Sequence, residues 1–142
     1  MEPSDTPPSP HALVNPVELG PAVGFAHAVL PAPGRTAYLG GQTAQGEDGR
    51  IVSEGLPEQF DVALGNVVTA LRAVQASPEH LVSLAVYTTD IATYRARLSE
   101  LGGIYRRHLG KHYPAMALFG VTELFDPAAL VELVGTAVVP DP

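Results

Sequence analysis

Apolar positions recur with two different periods along this 142-residue chain. Phe60, Ala63, Leu64, Val67, Leu71 and Val74 fall on one face at helical spacing, which predicts a helix over 57–76. Pro57 suits its first turn, where no intrahelical N–H is required. Tyr94, Leu98, Leu101, Tyr105 and Leu109 form a second stripe, which predicts a helix over 93–109 that Gly110 stops. Gly102-Gly103 inside it should cost about 1 kcal/mol each relative to Ala. That suggests close packing against a neighbour or a local irregularity.

The strand signals lie around these helices. Residues 24–30 and 36–41, separated by the turn 31–35, read as a hairpin. Its closing Gly40-Gly41 lets something approach the backbone closely, or marks a bulge. Ser77-Pro78-Glu79 reads as a cap and a short helical turn. Residues 81–89, with Val82, Val86, Thr88 and Thr89, read as a central strand. Strands over 115–121 and 130–139 close the chain. The resulting order, ββ(β)αβαββ, predicts an α+β sandwich with two helices on one face of a mixed sheet.

The last of these strands is apolar at both parities, so it reads as covered on both faces. Two helices cover only one face. In a chain this short the expected cover for the other is a second copy of itself. Inside the run stands one carboxylate, Glu132. Isolated in apolar surroundings, an ionised carboxylate costs several kcal/mol unless it is paired or hydrogen-bonded. Glu132 is therefore either functional or a register-fixing group at a subunit seam, and both readings stand at this point.

Composition narrows the classes. Hydrophobic residues make up 46% of the chain, and no apolar run reaches the roughly 18 residues of a membrane span. Residues 1–14 read as a flexible Pro/Ser-rich tail and 15–142 as a single domain. The N-terminus lacks the basic-then-apolar pattern of a signal peptide, so a cytoplasmic protein is expected. There is no Cys, which excludes disulfides and a thiolate nucleophile. The net charge of −7 argues against nucleic-acid binding. Arg95, Arg97, Arg106, Arg107 and Lys111 cluster locally but suit the solvated face of a helix. His108 and His112 are four apart, yet Gly110 between them should break the helix and no acidic ligand accompanies them, so no metal is expected.

Several segments occur in a specific order: Tyr38-Leu39-Gly40-Gly41-Gln42-Thr43, the helix after Gln59, Val86-Tyr87-Thr88-Thr89-Asp90-Ile91, Tyr113-Pro114-Ala115 and Leu130-Val131-Glu132-Leu133. Together they resemble the Rid/YjgF family of enamine/imine deaminases, also called L-PSP endoribonucleases, over about residues 15–139. The resemblance implies a chorismate-mutase-like fold, a homotrimer with clefts between subunits, and a small-molecule substrate without a cofactor. In the family's deaminases an arginine after the Pro-Ala pair clamps the substrate carboxylate. A backbone carbonyl two residues later and the strand glutamate then position a water.

The chain departs from that pattern where the arginine is expected, because Met116 follows Pro114-Ala115. Serine before the Gly-Gln pair is replaced by Gly40, the glycine-aromatic-serine segment reads Gly24-Phe25-Ala26, and the expected asparagine is Ala92. Gly41, Gln42, Pro114 and Glu132 are retained. The resemblance thus implies an apolar cleft of Phe25, Met116, Leu118 and Phe119 around Glu132, with Gly41 and Gln42 at its edge. If Phe25 faces that cleft, period 2 puts His27 on the same face as a proton partner for Glu132. The alternative is a half-buried edge histidine. Gln42 either closes the Gly-Gly turn with its amide or touches ligand. Arg35 and Arg50 lie in turns, and nothing in the sequence brings them to the cleft. The resemblance leaves two classes of function: a hydrolase or deaminase acting on an imine or enamine less acidic than 2-aminoacrylate, and a trimeric small-molecule-binding protein without catalysis. The nuclease name attached to some relatives fits the acidic charge poorly.

Overall fold

A computed structural model describes residues 6–53 and 55–142. Among these residues six strands and three helices follow in the order β1 (Ala12–Val14), β2 (Ala28–Leu30), β3 (Gly34–Tyr38), α1 (Leu56–Ala73), β4 (Leu81–Thr88), α2 (Ile91–Ala96), α3 (Leu98–Leu109), β5 (Ala115–Gly120) and β6 (Val131–Pro140). A 3-10 turn, Pro78–His80, precedes β4. The main sheet has the strand order β3-β6-β4-β5. β6 runs antiparallel to both its neighbours, and β4 and β5 are parallel, joined by the α2–α3 crossover. This is the expected α+β arrangement, with β4 and β6 in the centre.

Helix α1 lies on one face of the sheet and packs against β6 and α3. Its apolar stripe, Leu56, Phe60, Ala63, Leu64, Val67 and Leu71, is buried, as are Leu101, Ile104, Tyr105 and Leu109 of α3. Together with Leu84, Val86, Val131, Leu133 and Ala137 of the central strands they form the core. Gly110 ends α3 with φ 67°, a conformation that favours glycine.

Four expectations need correction. The hairpin does not form: β2 pairs with β1, in the register Ala12 with Leu30, while β3 pairs with β6. The bulk of the apolar partner surface lies on β6, and a three-residue β2 cannot compete for it. Residues near the N-terminus are not a loose tail from Ser9 onward. Ser9 donates its hydroxyl to the Glu79 carbonyl at 2.8 Å, and His11 is buried. The second helix is two helices broken at Arg97, whose ψ of 22° leaves the helical range. Leu98, just past the break, is exposed and does not join the stripe, and Val74 likewise lies beyond the end of α1. Finally, Gly102-Gly103 is not a close-packing site within the chain, because a Cβ on Gly103 would meet nothing within 4 Å and one on Gly102 only the tip of Arg106.

One buried side chain of α1 ties the loop before that helix to the segment that enters β6. The amide of Gln59 donates to the carbonyls of Ser53 and Ala128, both at 2.9 Å, and accepts from the Leu130 N–H at 2.8 Å. All its polar capacity but one lone pair is used, as a fully buried amide requires. The Leu130 carbonyl accepts in turn from the Thr88 hydroxyl and the Thr89 N–H. The chain entering β6 is thereby fixed two residues before Glu132.

Candidate functional site

Alternation along β6 divides its side chains between two surfaces. Val131, Leu133, Gly135 and Ala137 face the helices and are buried, whereas Glu132, Val134 and Thr136 face the other way. On β4 the same alternation puts Val86 and Thr88 under the helices and Tyr87 on the open face. Tyr87 sits directly opposite Glu132 in the antiparallel register, and opposite Phe119 in the parallel one. The Tyr87 and Phe119 rings stack at 5.3 Å with planes 20° apart. One row, Glu132-Tyr87-Phe119, therefore crosses three strands on the open face.

The other flank of Glu132 is the Gly41-Gln42 segment. The Gln42 N–H donates to the Leu133 carbonyl at 2.8 Å, and the Leu133 N–H returns a bond to the Gln42 carbonyl at 2.9 Å. This lays Gly41 against the Glu132 side chain, and a Cβ built on Gly41 would collide with the carboxylate. The Gly-Gly step therefore serves the close approach anticipated for it. The Gln42 amide donates to the Gly40 carbonyl at 3.2 Å, so it does close its own turn.

Other expected cleft residues fall elsewhere in the chain. Met116 and Leu118 register with Leu84 and Val86, so they lie on the helix side of β5, opposite to Glu132. Met116 packs on the core, with its sulfur 3.7 Å from the Tyr105 hydroxyl. Tyr105 also donates to the His112 carbonyl at 2.7 Å and stacks on Tyr113. A short β5 at the sheet edge alternates its side chains like any strand, so Met116 and Phe119 cannot share a face. Only Phe119 of the apolar set joins Glu132.

Phe25 and His27 are close to each other, with ring centroids 5.0 Å apart in an edge-to-face arrangement. Their segment adds to the outer edge of β5, where Ala26 bridges Ala115. Three strand spacings, roughly 14 Å, then separate it from β6. His27 donates from Nε2 to the Gly20 carbonyl at 2.6 Å, and its N–H bonds the Asn15 side chain. Within one chain His27 is thus the half-buried edge histidine and not the partner of Glu132. Arg35 lies on the helix side beside Ala73, Val74 and Gln75, and Arg50 sits in the turn closed by Gly46. Neither stands in the Glu132 row. Tyr87 was the missed member of the site. Its position between two buried β4 residues, one step from each, carried the signal.

Around Glu132 the surface is unusually apolar for an exposed face. Tyr38 is 83% exposed and Phe119 47%, with Val134 between them in the sheet. Well-formed concavities among the described residues lie on the helix side. One of about 510 Å³ between the ends of α1 and α3 is lined by Arg72, Ser77, Arg107 and His108. Beside it, Asp61 accepts from His108 Nε2 at 2.5 Å and lies 3.6 Å from Arg107. Burial pushes the Asp61 carboxyl up, but the His108 hydrogen bond and the charge of Arg107 outweigh it and hold the group below the usual carboxylate range. Among the described residues no group of His, Asp and Glu side chains is arranged to hold a metal ion.

The family model for endoribonuclease L-PSP matches residues 16–139. The chain belongs to this family, the Rid proteins. A conserved Rid-family protein of unknown function from Yersinia pestis, YyfB, is 31% identical and superposes with a TM-score of 0.82 over 91% of this chain and 98% of its own. A Mycobacterium tuberculosis member of the YjgF/YER057c/UK114 family is 28% identical, with a TM-score of 0.60 over 82% of this chain and 88% of its own. The mitochondrial protein MMF1 of Saccharomyces cerevisiae is 22% identical over 107 residues, 75% of this chain and 71% of that protein. The described residues of this Rid protein include no helix long and apolar enough to cross a membrane.

Proposed function

We propose that this Rid protein is a hydrolase of a reactive imine or enamine, working as a cytoplasmic homotrimer whose subunits close a cleft over the open sheet face. The observation that carries the reading is the Glu132 carboxylate held against Gly41 at the head of an apolar, exposed row. A fixed carboxylate in such a place orients water and accepts its proton. Water adds to the C=N carbon, the nitrogen takes up the proton, and the adduct splits into a carbonyl compound and ammonia. Met116 in the arginine position supplies no cation, and Met116 faces the core. The substrate is therefore less acidic than a 2-imino acid, with Tyr87 and Phe119 offering it an apolar, aromatic wall. Phe25 and His27 belong to the site in this reading only if a neighbouring subunit brings them there.

The test offers the purified protein neutral acyclic imines with an unsubstituted nitrogen beside 2-imino acids generated by an amino-acid oxidase, with ammonia and carbonyl product measured. Faster hydrolysis of the neutral imines, lost in Glu132→Gln, is the expected result. Equal rates with and without protein for every imine would remove the hydrolase reading. The loss of the cation at Met116 also favours a second reading, a trimer that binds an apolar metabolite without turning it over. Saturable binding to the wild type and to Glu132→Gln alike, with no product formed, would identify it.

A further inference from the structure

Three of the five histidines meet at one place far from Glu132, where the β1–β2 ribbon joins the body. His11 precedes β1 and is buried. Its Nδ1 accepts from the Ala32 N–H at 3.0 Å, and its Nε2 donates to the Val138 carbonyl at 3.0 Å, with the His80 carbonyl 3.2 Å away. That bonding admits only the neutral ring with its proton on Nε2. His80, in the 3-10 turn, accepts from the Ser77 N–H through Nδ1 at 3.1 Å. His112, buried after α3, donates from Nε2 to the Leu81 carbonyl at 2.8 Å.

We propose that His11, His80 and His112 form an acid-sensitive latch, which docks the β1–β2 ribbon on the body when neutral and releases it when protonated. A proton on His11 Nδ1 would point at the Ala32 N–H, replacing a hydrogen bond by a donor–donor contact in a buried place. Ala32 lies two residues beyond β2, so the lost bond loosens the ribbon at the point where it meets the body. The charges facing the cluster do not relieve it. Glu79 is the carboxylate there, 3.9 Å from His80 Nε2, and it favours a proton on His112 as well. Positive charge on His11 or His80 opposes a proton on His112, and Lys111 beside His112 adds no relief. Burial pushes the His112 imidazole below its ordinary value, outweighing Glu79 and the Leu81 carbonyl. The unfolded or released chain therefore binds more protons than the docked one, and docking weakens as pH falls below about 6.5. The ribbon carries the Asn15 side chain that holds His27, so release also frees the segment that flanks β5.

The full chain contains no Trp, so Leu30→Trp puts a single reporter on the exposed side of β2. Time-resolved anisotropy is followed from about pH 8 to about pH 5, the range in which histidines change charge, with far-UV circular dichroism in parallel. The fast component is expected to grow at least about twofold below about pH 6.5 while the dichroism stays constant. His11→Gln, which keeps an amide donor and acceptor but does not titrate, should hold the ribbon docked throughout. No growth of the fast component, the same transition in His11→Gln, or loss of dichroism in step with it would overturn the latch. Should His11→Gln leave the ribbon loose at every pH, the double variant His80→Gln/His112→Phe decides. A release midpoint lowered by about one pH unit upholds the coupled cluster, and an unmoved one overturns it. Turnover enters none of these readouts, so they stand apart from the reading of Glu132.

Discussion

On its helix side, β6 presents Val131, Leu133, Gly135 and Ala137, all sealed under α1 and α3. On its other side the same ten residues present Glu132, Val134 and Thr136 to a surface the chain leaves open. The first row is apolar and covered throughout, whereas on the second only Val138, beside His11, is buried within the chain. A strand read as buried on both faces can thus be a strand finished on one face and waiting on the other. The acidic group sits on the unfinished side, where it costs less than it would under the helices.

The largest effect expected from this contrast is Leu133→Ala, about 2–5 kcal/mol of stability by urea unfolding, because Leu133 is fully buried. Val134→Ala, one residue on, should change the stability of the isolated chain by less than about 0.5 kcal/mol. A larger, concentration-dependent loss at Val134 would show the open face to be covered by another copy. Gly41→Ala comes next: the added methyl must displace Glu132, costing about 1–3 kcal/mol and about a hundredfold in any Glu132-dependent turnover. Activity retained in Gly41→Ala would separate the carboxylate from the chemistry. Phe119→Glu puts a second charge on the open row, and light scattering should then report a smaller mass than for the wild type. The smallest effect belongs to the helix side. Asp61→Asn removes a carboxyl whose folded pKa is depressed, so its stabilisation is present above the ordinary value of 3.8 and is lost as pH falls through the lower folded value. Asp61 is 40% exposed, so solvent screening keeps the gain small. Acid unfolding of the variant should be slightly less steep than that of the wild type.

Much of the sheet was legible because long apolar periods dominate it: α1, β4 and β6 fall within a few residues of their expected bounds. The hairpin misled because Pro and Gly mark a turn without saying which strands it joins. Only β6, more than 90 residues further on, decides that β3 belongs to the main sheet. The tail misled for a similar reason. A Pro/Ser-rich composition suggests looseness, but one buried histidine outweighs it through contacts to residues 32, 80 and 138. Glu132 and Gly41 were legible as a pair of anomalies, a carboxylate among apolar neighbours and two adjacent glycines. That they explain each other was not, since it depends on the Gln42–Leu133 bonding between distant segments. Met116 was placed in the cleft by its position after Pro114-Ala115, and strand parity sent it to the core instead.

The clamp made by Gln59 has a practical side. The stretch from Thr122 to Pro127 leaves β5 where the Val121 N–H bonds Thr88, and it returns where Asp126 holds the Ala128 and Ala129 N–H groups. Gln59 then grips Ala128 and Leu130. Between these moorings Phe125 stands fully in solvent. A segment tied at both ends and free at its tip is the natural graft point of this scaffold, where foreign peptide can be spliced in without disturbing the sheet behind it.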